Sequence, residues 1–204
     1  AICNKLESLG YQSDQFKNSI LAIPTSTVAY EFTRRIYEEL GLDLSCLASK
    51  FTAYDLLDVK NDSGKIDYPR ICSILKQNTP FNSITLADTV NEGDEKVNIE
   101  TVIGNPPYQL KSNDERSTSR DKPIYNYFVE LSKCLESSYN ALIIPARWMA
   151  SGLGLNDFRE SMLNDNNIRT LVDYPVSHEV FPNVEIKGGV CYFLRNNTEA
   201  GLCN

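Results

Sequence analysis

Apolar residues at helical spacing mark the beginning of the chain. Ile2, Leu6 and Leu9 recur every three to four residues, and the following Gly10 favours the end of a helix. A second helix is predicted to end at Gly41. Its buried face is predicted to consist of Val28, Ala29, Phe32, Ile36 and Leu40.

Shorter apolar runs and a polar stretch follow. The runs at 19–23 and 50–54 are typical of buried strands. Residues 61–98 are polar and acidic, which predicts an insertion with one helix. The apolar positions that can anchor this insertion are Ile71, Leu75, Phe81, Ile84 and Leu86.

Strands and helices alternate in the second half of the chain. The pattern predicts strands at 99–103, 141–144, 168–173 and 189–194, with helices at 125–135 and 155–162. This alternation favours an α/β fold. The polar residues 109–123 predict a loop that is disordered without substrate and that could close over a bound ligand.

The tetrapeptide Asn105-Pro106-Pro107-Tyr108 follows the first of these strands. Gly104 is predicted to release the backbone into a sharp turn, which places Asn105 at the carboxyl end of a strand, where open α/β sheets bind ligands. The two prolines fix φ and remove two backbone donors. We therefore predict an acceptor-rich corner with an aromatic ring beside it.

This corner suits a planar amino group. The Asn105 side-chain oxygen and the Pro106 carbonyl can both accept hydrogen bonds from one NH2 group, and Tyr108 offers a flat face for stacking. An exocyclic amine on a nucleobase is a poor nucleophile, because its lone pair is delocalised into the ring. Two acceptors favour a pyramidal nitrogen and stabilise the positive charge that develops during methyl transfer.

Composition and charge limit the number of domains, the cellular location and the DNA affinity that we expect. The 204 residues with 42% hydrophobic content predict one domain, residues 1–204. Six cysteines without C-x-x-C spacing indicate reduced thiols and no metal site, and neither a leader nor a long apolar run is present, which predicts a cytoplasmic protein outside the membrane. The net charge of −7 argues against strong DNA binding by this chain alone. The basic residues near the tetrapeptide are Lys111, Arg116, Arg120 and Lys122.

The tetrapeptide resembles the catalytic motif of S-adenosylmethionine-dependent amino-methyltransferases. Its flanks, Val102-Ile103-Gly104 and Gln109, are similar to those of bacterial restriction-modification adenine-N6 DNA methyltransferases of the type IIG group. The resemblance implies a Rossmann-like methyltransferase fold and assigns catalysis to Asn105, Pro106, Pro107 and Tyr108. It also implies a DNA substrate with a flipped-out adenine and a target-recognition region outside this chain.

The resemblance assigns further residues to the base and to the methyl donor. Phe181, in the segment Val180-Phe181-Pro182-Asn183-Val184, matches an aromatic residue that packs on the adenine opposite the motif tyrosine. Residues 51–57 resemble a motif in which Asp55, with the adjacent Leu56, binds the adenine of S-adenosylmethionine.

Two departures from the family pattern concern the donor site. Pro24 occupies the position of a ribose-binding acid, and no glycine-rich turn precedes residue 19. We therefore expect an amino-terminally truncated domain that lacks its first strand and that turn. Gly152-Leu153-Gly154 lacks the third glycine and is interpreted as a loop.

Other functions share the motif. A glutamine-N5 protein methyltransferase and a catalytically incomplete binding module both remain open. A fused endonuclease would lie outside these residues.

Overall fold

The structure, a computed structural model, describes residues 2–91, 93–110, 122–150 and 154–204. The chain divides into two compact units, residues 1–97 and 98–204. Within the described residues, no helix is long and apolar enough to cross a membrane.

The first unit is mainly helical. It contains α1 (Ile2–Ser8), α2 (Ser13–Phe16), α3 (Thr27–Glu39) and α4 (Tyr68–Leu75), with 3-10 helices at Leu44–Cys46 and Asp55–Asp58. The side chain of Ser26 accepts a hydrogen bond from the Ala29 amide and so begins α3. The core is built from Cys3, Phe16, Tyr37, Leu42, Cys46 and Leu47.

The helices predicted near the start of the chain are present, but their buried faces differ from the prediction. In α3, Val28 is 80% exposed and Phe32 is 67% exposed, whereas Tyr37 is buried. The Tyr37 hydroxyl donates a hydrogen bond to the Ile20 carbonyl, so the ring is buried with its polar atom paired. In α1 the buried residue is Cys3, and Leu9 is exposed.

The two strands predicted in this unit are not formed. The region 19–23 contributes a single parallel bridge between Ala22 and Leu47, and 50–54 contains no strand. Without neighbouring strands to pair with, these apolar runs pack as irregular chain. Within 61–98, α4 is the one helix among the described residues, and Ile71, Leu75, Phe81 and Ile84 are buried.

The second unit is an α/β structure, which confirms the predicted fold class. Its strands are β1 (Thr101–Gly104), β2 (Gln109–Leu110), β3 (Lys122–Pro123), β4 (Tyr139–Pro145), β5 (Ile168–Tyr174) and β6 (Val190–Asn196). Its helices are α5 (Tyr125–Cys134) and α6 (Asn156–Leu163), with 3-10 helices at Ala146–Met149 and Ser177–Glu179.

Four strands form a mixed sheet in the order β1-β4-β6-β5, and β2 and β3 form a separate antiparallel pair. β1 and β4 are parallel, whereas β6 runs antiparallel to both β4 and β5. The carboxyl ends of β1, β4 and β5 therefore lie at one edge of the sheet. That arrangement agrees with a Rossmann-like methyltransferase fold and places the loops after these strands where such sheets bind ligands.

A cluster of three charged residues lies at the other edge of the sheet, opposite the carboxyl ends of β1, β4 and β5. Asp165, which is 10% exposed, accepts a hydrogen bond from the Arg195 side chain at 2.9 Å and lies 3.2 Å from the Lys133 ammonium group. Burial alone would raise the pKa of Asp165. The hydrogen bond from Arg195 and the charge of Lys133 lower it by more, so the pKa lies below its ordinary value. The cluster joins α5, the turn before β5, and β6.

Candidate active site

The tetrapeptide lies directly after β1, as predicted. Asn105 is exposed, while Pro106, Pro107 and Tyr108 are half-buried. The Tyr108 carbonyl accepts a hydrogen bond of 3.0 Å from the Ile124 amide, which ties the end of the motif to the start of α5.

Gly104 has a different role from the predicted one. It is the last paired residue of β1, opposite Leu142, and its φ is not positive. A Cβ atom at this position would lie 3.5 Å from the Leu142 side chain, an ordinary contact. The turn is therefore produced by the two prolines and not by the glycine.

The ring of Tyr108 begins a series of aromatic contacts that leads into the core. Tyr108 meets Tyr125 edge to face with centroids 6.5 Å apart, and Tyr125 meets Phe158 in the same way at 5.9 Å. Phe158 in turn contacts Trp148 at 5.9 Å. These contacts fix the orientation of the motif tyrosine, because each ring is held by the next.

The hydroxyl group of Tyr108 is buried and forms no hydrogen bond with any described residue. Burial raises the pKa of Tyr108 to about 12, and the neighbouring Cys191 thiol adds to the shift. Burial also raises the pKa of Tyr125, and weaker interactions with Arg147 and the Trp148 backbone offset that shift only in part. Both rings therefore remain neutral at physiological pH.

A cavity of about 660 Å3 lies beside Tyr108 at the carboxyl edge of the sheet. This volume is in the range of small-ligand sites. Its lining combines aromatic and apolar side chains with three charged ones. The lining residues are Tyr108, Gln109, Pro123, Tyr125, Pro145, Arg147, Leu155, Val184, Glu185, Ile186 and Lys187.

Residues 184–187, here called the wall segment, are held in place by one buried serine. The Ser177 hydroxyl donates to the Val184 carbonyl at 3.0 Å and accepts from the Ile186 amide at 2.9 Å. Two glycines with positive φ, Gly188 and Gly189, follow the wall segment. The Gly189 carbonyl accepts a hydrogen bond from the Ala146 amide, which joins the chain just after the wall segment to the residues that follow β4.

Phe181, predicted to pack on the base, lies close to this region but does not line the cavity. It is half-buried, and its backbone amide donates to the Ser177 carbonyl. Its assignment as the second stacking ring stays a prediction. The aromatic residue that the structure does bring to the Tyr108 ring is Tyr125, which the sequence indicated only as a helix position.

The predicted donor-binding residues lie in the first unit. Asp55 begins the 3-10 helix Asp55–Asp58 and is exposed. Its Oδ2 atom accepts hydrogen bonds from the backbone and the hydroxyl group of Thr52 at 2.7 and 2.8 Å, and its Oδ1 atom accepts none from the described residues. Leu56 is 1% exposed and packs in the core.

The loop predicted at 109–123 is described only at its two ends. Gln109–Leu110 and Lys122–Pro123 pair as β2 and β3, and Lys122 is exposed. The predicted disorder and closure of this loop, together with Lys111, Arg116 and Arg120, fall on residues 111–121 and lie outside the described residues.

Comparison with known proteins adds three findings. The family described as Eco57I restriction-modification methylase matches residues 18–181. An uncharacterized adenine-specific methylase of Mycoplasma pneumoniae is 38% identical over 104 residues, which cover 50% of this chain and 24% of that protein. The chain also resembles the methyltransferase subunit of a type I restriction-modification system from Streptococcus thermophilus, with a TM-score of 0.47 and 15% identity over 88% of this chain and 34% of that one. The matches thus span about a quarter of the curated relative and a third of the solved chain.

Proposed function

The chain belongs to the Eco57I restriction-modification methylase family, and on that premise we propose that it carries the base-binding half of a DNA adenine-N6 methyltransferase site. The observation that supports this most directly is the position of Asn105-Pro106-Pro107-Tyr108. The tetrapeptide follows β1 at the carboxyl edge of the sheet, and its tyrosine lines a cavity large enough for a nucleoside.

The exposed Asn105 and the carbonyl of Pro106 orient the amine of the target adenine. The Asn105 side chain forms no hydrogen bond with a described residue that would compete for its oxygen. Pro107 keeps the corner rigid, since it fixes φ. The two oxygen atoms accept hydrogen bonds from the two N–H groups and stabilise the positive charge that develops on N6 during methyl transfer. This charge disappears when the methylated amine releases a proton to water.

Tyr108 stacks on the adenine ring, and Phe181 is assigned to the other face. Taking the base out of the duplex costs roughly a few kcal/mol. Stacking on each ring returns about 1 to 3 kcal/mol. The aromatic series behind Tyr108 supports this role, because a ring that is already oriented loses little freedom when the base binds.

S-adenosylmethionine is the proposed methyl donor, and when bound it supplies a methyl group on a positively charged sulfur. Asp55 suits the adenine end of this molecule, because it is exposed and its Oδ1 atom, which bonds no described residue, can accept a hydrogen bond from an amino group. The side chain of Leu56 is buried, so this residue is assigned to the donor through its backbone.

DNA is the proposed substrate, within a restriction-modification system of the type IIG kind that acts in the cytoplasm. Sequence readout is assigned to a recognition region outside this chain, since the chain carries a net charge of −7. Residues 1–204 are assigned to the catalytic domain, with 61–98 as an insertion.

Methyl transfer to unmethylated plasmid DNA tests this proposal. The intact protein is incubated with labelled S-adenosylmethionine, and the label is expected in N6-methyladenine after digestion of the DNA to nucleosides. Asn105→Ala is expected to lower the rate by about 100-fold or more, because one of the two acceptors is lost. Asn164→Ala is the matched control, since among the described residues the Asn164 side-chain amide bonds the Glu160 carbonyl of α6 and no other group.

The alternatives give different results in the same assay. Label on a glutamine of a release factor, with none in DNA, would identify a glutamine-N5 protein methyltransferase. Absence of both transfer and donor binding by the intact protein would support a catalytically incomplete binding module.

A further inference from the structure

Arg147 is a basic residue on the lining of the cavity. It follows β4 within the 3-10 helix Ala146–Met149, and its backbone is held by the buried neighbours Ala146 and Trp148. The side chain is half-buried, and it forms no hydrogen bond or ion pair with any described residue. A half-buried guanidinium group on the lining of a cavity can bind an anionic ligand through charge-assisted hydrogen bonds.

Three of the four other partly buried basic residues of the second unit have partners, whereas Arg169, at the opposite edge of the sheet, forms no hydrogen bond or ion pair with its side chain among the described residues. Lys133 and Arg195 contact Asp165, and the Arg159 side chain donates to the Met149 carbonyl at 3.0 Å. The absence of a partner among the described residues therefore distinguishes Arg147 from these three cations.

The charges around the cavity favour an anionic ligand. Among its lining residues, Arg147 and Lys187 are basic and Glu185 is acidic, and no ion pair joins Glu185 to Arg147. Gly188 lies next to the arginine, and a Cβ atom at residue 188 would be 3.9 Å from the Arg147 Cβ. The backbone that follows the wall segment therefore lies beside Arg147, close to the end of β4.

We infer that Arg147 binds a backbone phosphate of the DNA strand that carries the flipped adenine. A nucleotide matches both kinds of lining residue, because its flat base suits Tyr108 and Tyr125 and its anionic phosphate suits Arg147. The planar guanidinium group matches phosphate with two parallel hydrogen bonds, which an ammonium group cannot form. This inference rests on the proposed function and adds a residue that positions the strand.

The salt dependence of DNA binding provides the test. Each neutralised phosphate of duplex DNA contributes about 0.9 to the slope of log K against log salt concentration. For Arg147→Ala in the intact protein, we expect a slope shallower by about 0.9 and binding about 10-fold weaker at low salt. The KM for plasmid DNA is expected to rise in parallel, with little change in kcat.

Two further variants sharpen the result. Arg147→Lys keeps the charge, so it is expected to keep the slope while its affinity falls between the wild-type and alanine values. Arg169→Ala removes the same charge near the start of β5, at the opposite edge of the sheet, and is expected to leave both slope and KM unchanged. Thermal unfolding of each variant reports whether its fold is intact.

The outcomes separate this inference from the function on which it rests. If the wild-type protein methylates DNA but Arg147→Ala has the wild-type slope, the phosphate contact is wrong and the proposed function stands. Competition by millimolar inorganic phosphate that Arg147→Ala abolishes, with an unchanged DNA slope, would instead identify a site for free phosphate. If the wild-type protein does not bind DNA at all, both proposals fall.

Discussion

The ring of Tyr125 stands edge-on to the ring of Tyr108, at 78° and with centroids 6.5 Å apart. This contact makes the first residue of α5 the support for the last residue of the motif. An aromatic pair of this geometry contributes about 0.5 to 1.5 kcal/mol beyond the area it buries. The orientation of the stacking face is therefore determined by a residue that is not part of the motif.

The ring and the hydroxyl group of Tyr108 are expected to contribute differently. Tyr108→Phe removes a buried hydroxyl without a hydrogen-bond partner in the described structure, so we expect unchanged or slightly higher stability and near-normal methyl transfer. Tyr108→Ala removes the stacking surface and is expected to lower kcat/KM by about 5- to 150-fold, which corresponds to about 1 to 3 kcal/mol. Steady-state kinetics with plasmid DNA measure both effects.

Tyr139→Phe is the control for the loss of a hydroxyl group, because Tyr139 is 38% exposed at the start of β4. If Tyr108→Phe were as inactive as Tyr108→Ala, the hydroxyl group and not the ring would be the functional element.

Two glycines beside the site are expected to respond oppositely to alanine. At Gly189, φ is +76° and a Cβ atom would lie 2.2 Å from the Tyr174 carbonyl oxygen, so Gly189→Ala is expected to destabilise the protein by about 1 to 3 kcal/mol or more. At Gly104 the nearest atom is 3.5 Å away, so Gly104→Ala is expected to change stability by less than about 1 kcal/mol. Urea denaturation compares the two variants, and equal losses would contradict the backbone geometry.

The Asp165 cluster predicts a specific loss of stability in acid. Since the pKa of Asp165 is lower in the folded state than its ordinary value of 3.8, its stabilising effect is complete above that pH and is lost as pH falls through the folded pKa. Asp165→Asn is expected to cost about 3 kcal/mol at pH 7, because Lys133 and Arg195 lose their partner.

Urea denaturation at pH 7 and at pH 3 checks this dependence. The difference between wild type and Asp165→Asn is expected to shrink at the lower pH. Asp157→Asn serves as the control, since this exposed residue in the first turn of α6 contributes only about 0.3 to 1 kcal/mol through the helix dipole. A difference that does not depend on pH would contradict the prediction.

Ser177 is expected to maintain the shape of the cavity. Ser177→Ala removes a donor to Val184 and an acceptor for Ile186, which we expect to cost about 1 to 3 kcal/mol of stability and to raise the KM for DNA. Ser132→Ala is the matched control, because among the described residues this buried hydroxyl donates to the Val129 carbonyl within α5 and to no other group. An unchanged KM in Ser177→Ala, with stability lowered as expected, would show that the wall segment does not contact the substrate.

The sequence predicted the second unit better than the first. All four strands of the mixed sheet were predicted within a few residues, because each is an apolar run that finds partner strands on the sheet. The runs at 19–23 and 50–54 have the same local pattern but lack such partners. Local pattern alone does not distinguish a paired strand from packed irregular chain.

The aliphatic stripe of α3 shows a second limit. Val28 and Phe32 have the spacing of a buried face, yet the helix buries Tyr37 instead, whose hydroxyl reaches the Ile20 carbonyl. Hydrophobic spacing identified the helix correctly, but the direction in which it faces depends on a long-range hydrogen bond that no periodicity encodes.

The motif could be predicted from four adjacent residues, but the cavity could not. Tyr108, Arg147 and Glu185 are far apart in sequence, and only the order of the strands brings them to one edge. The two hydrogen bonds of Ser177 and the position of Arg147 on the cavity lining depend on that same assembly. A short motif therefore indicates the chemistry, whereas the shape of the site requires the sheet.

The position of β6 also bears on how this sheet is made. The strand that lies between β4 and β5 is synthesised after both of them, so the growing chain on the ribosome exposes two unpaired strand edges until residues 190–196 emerge. The sheet is therefore completed only after β6 has been synthesised. This one strand then inserts between β4 and β5 and forms its hydrogen bonds with both of them.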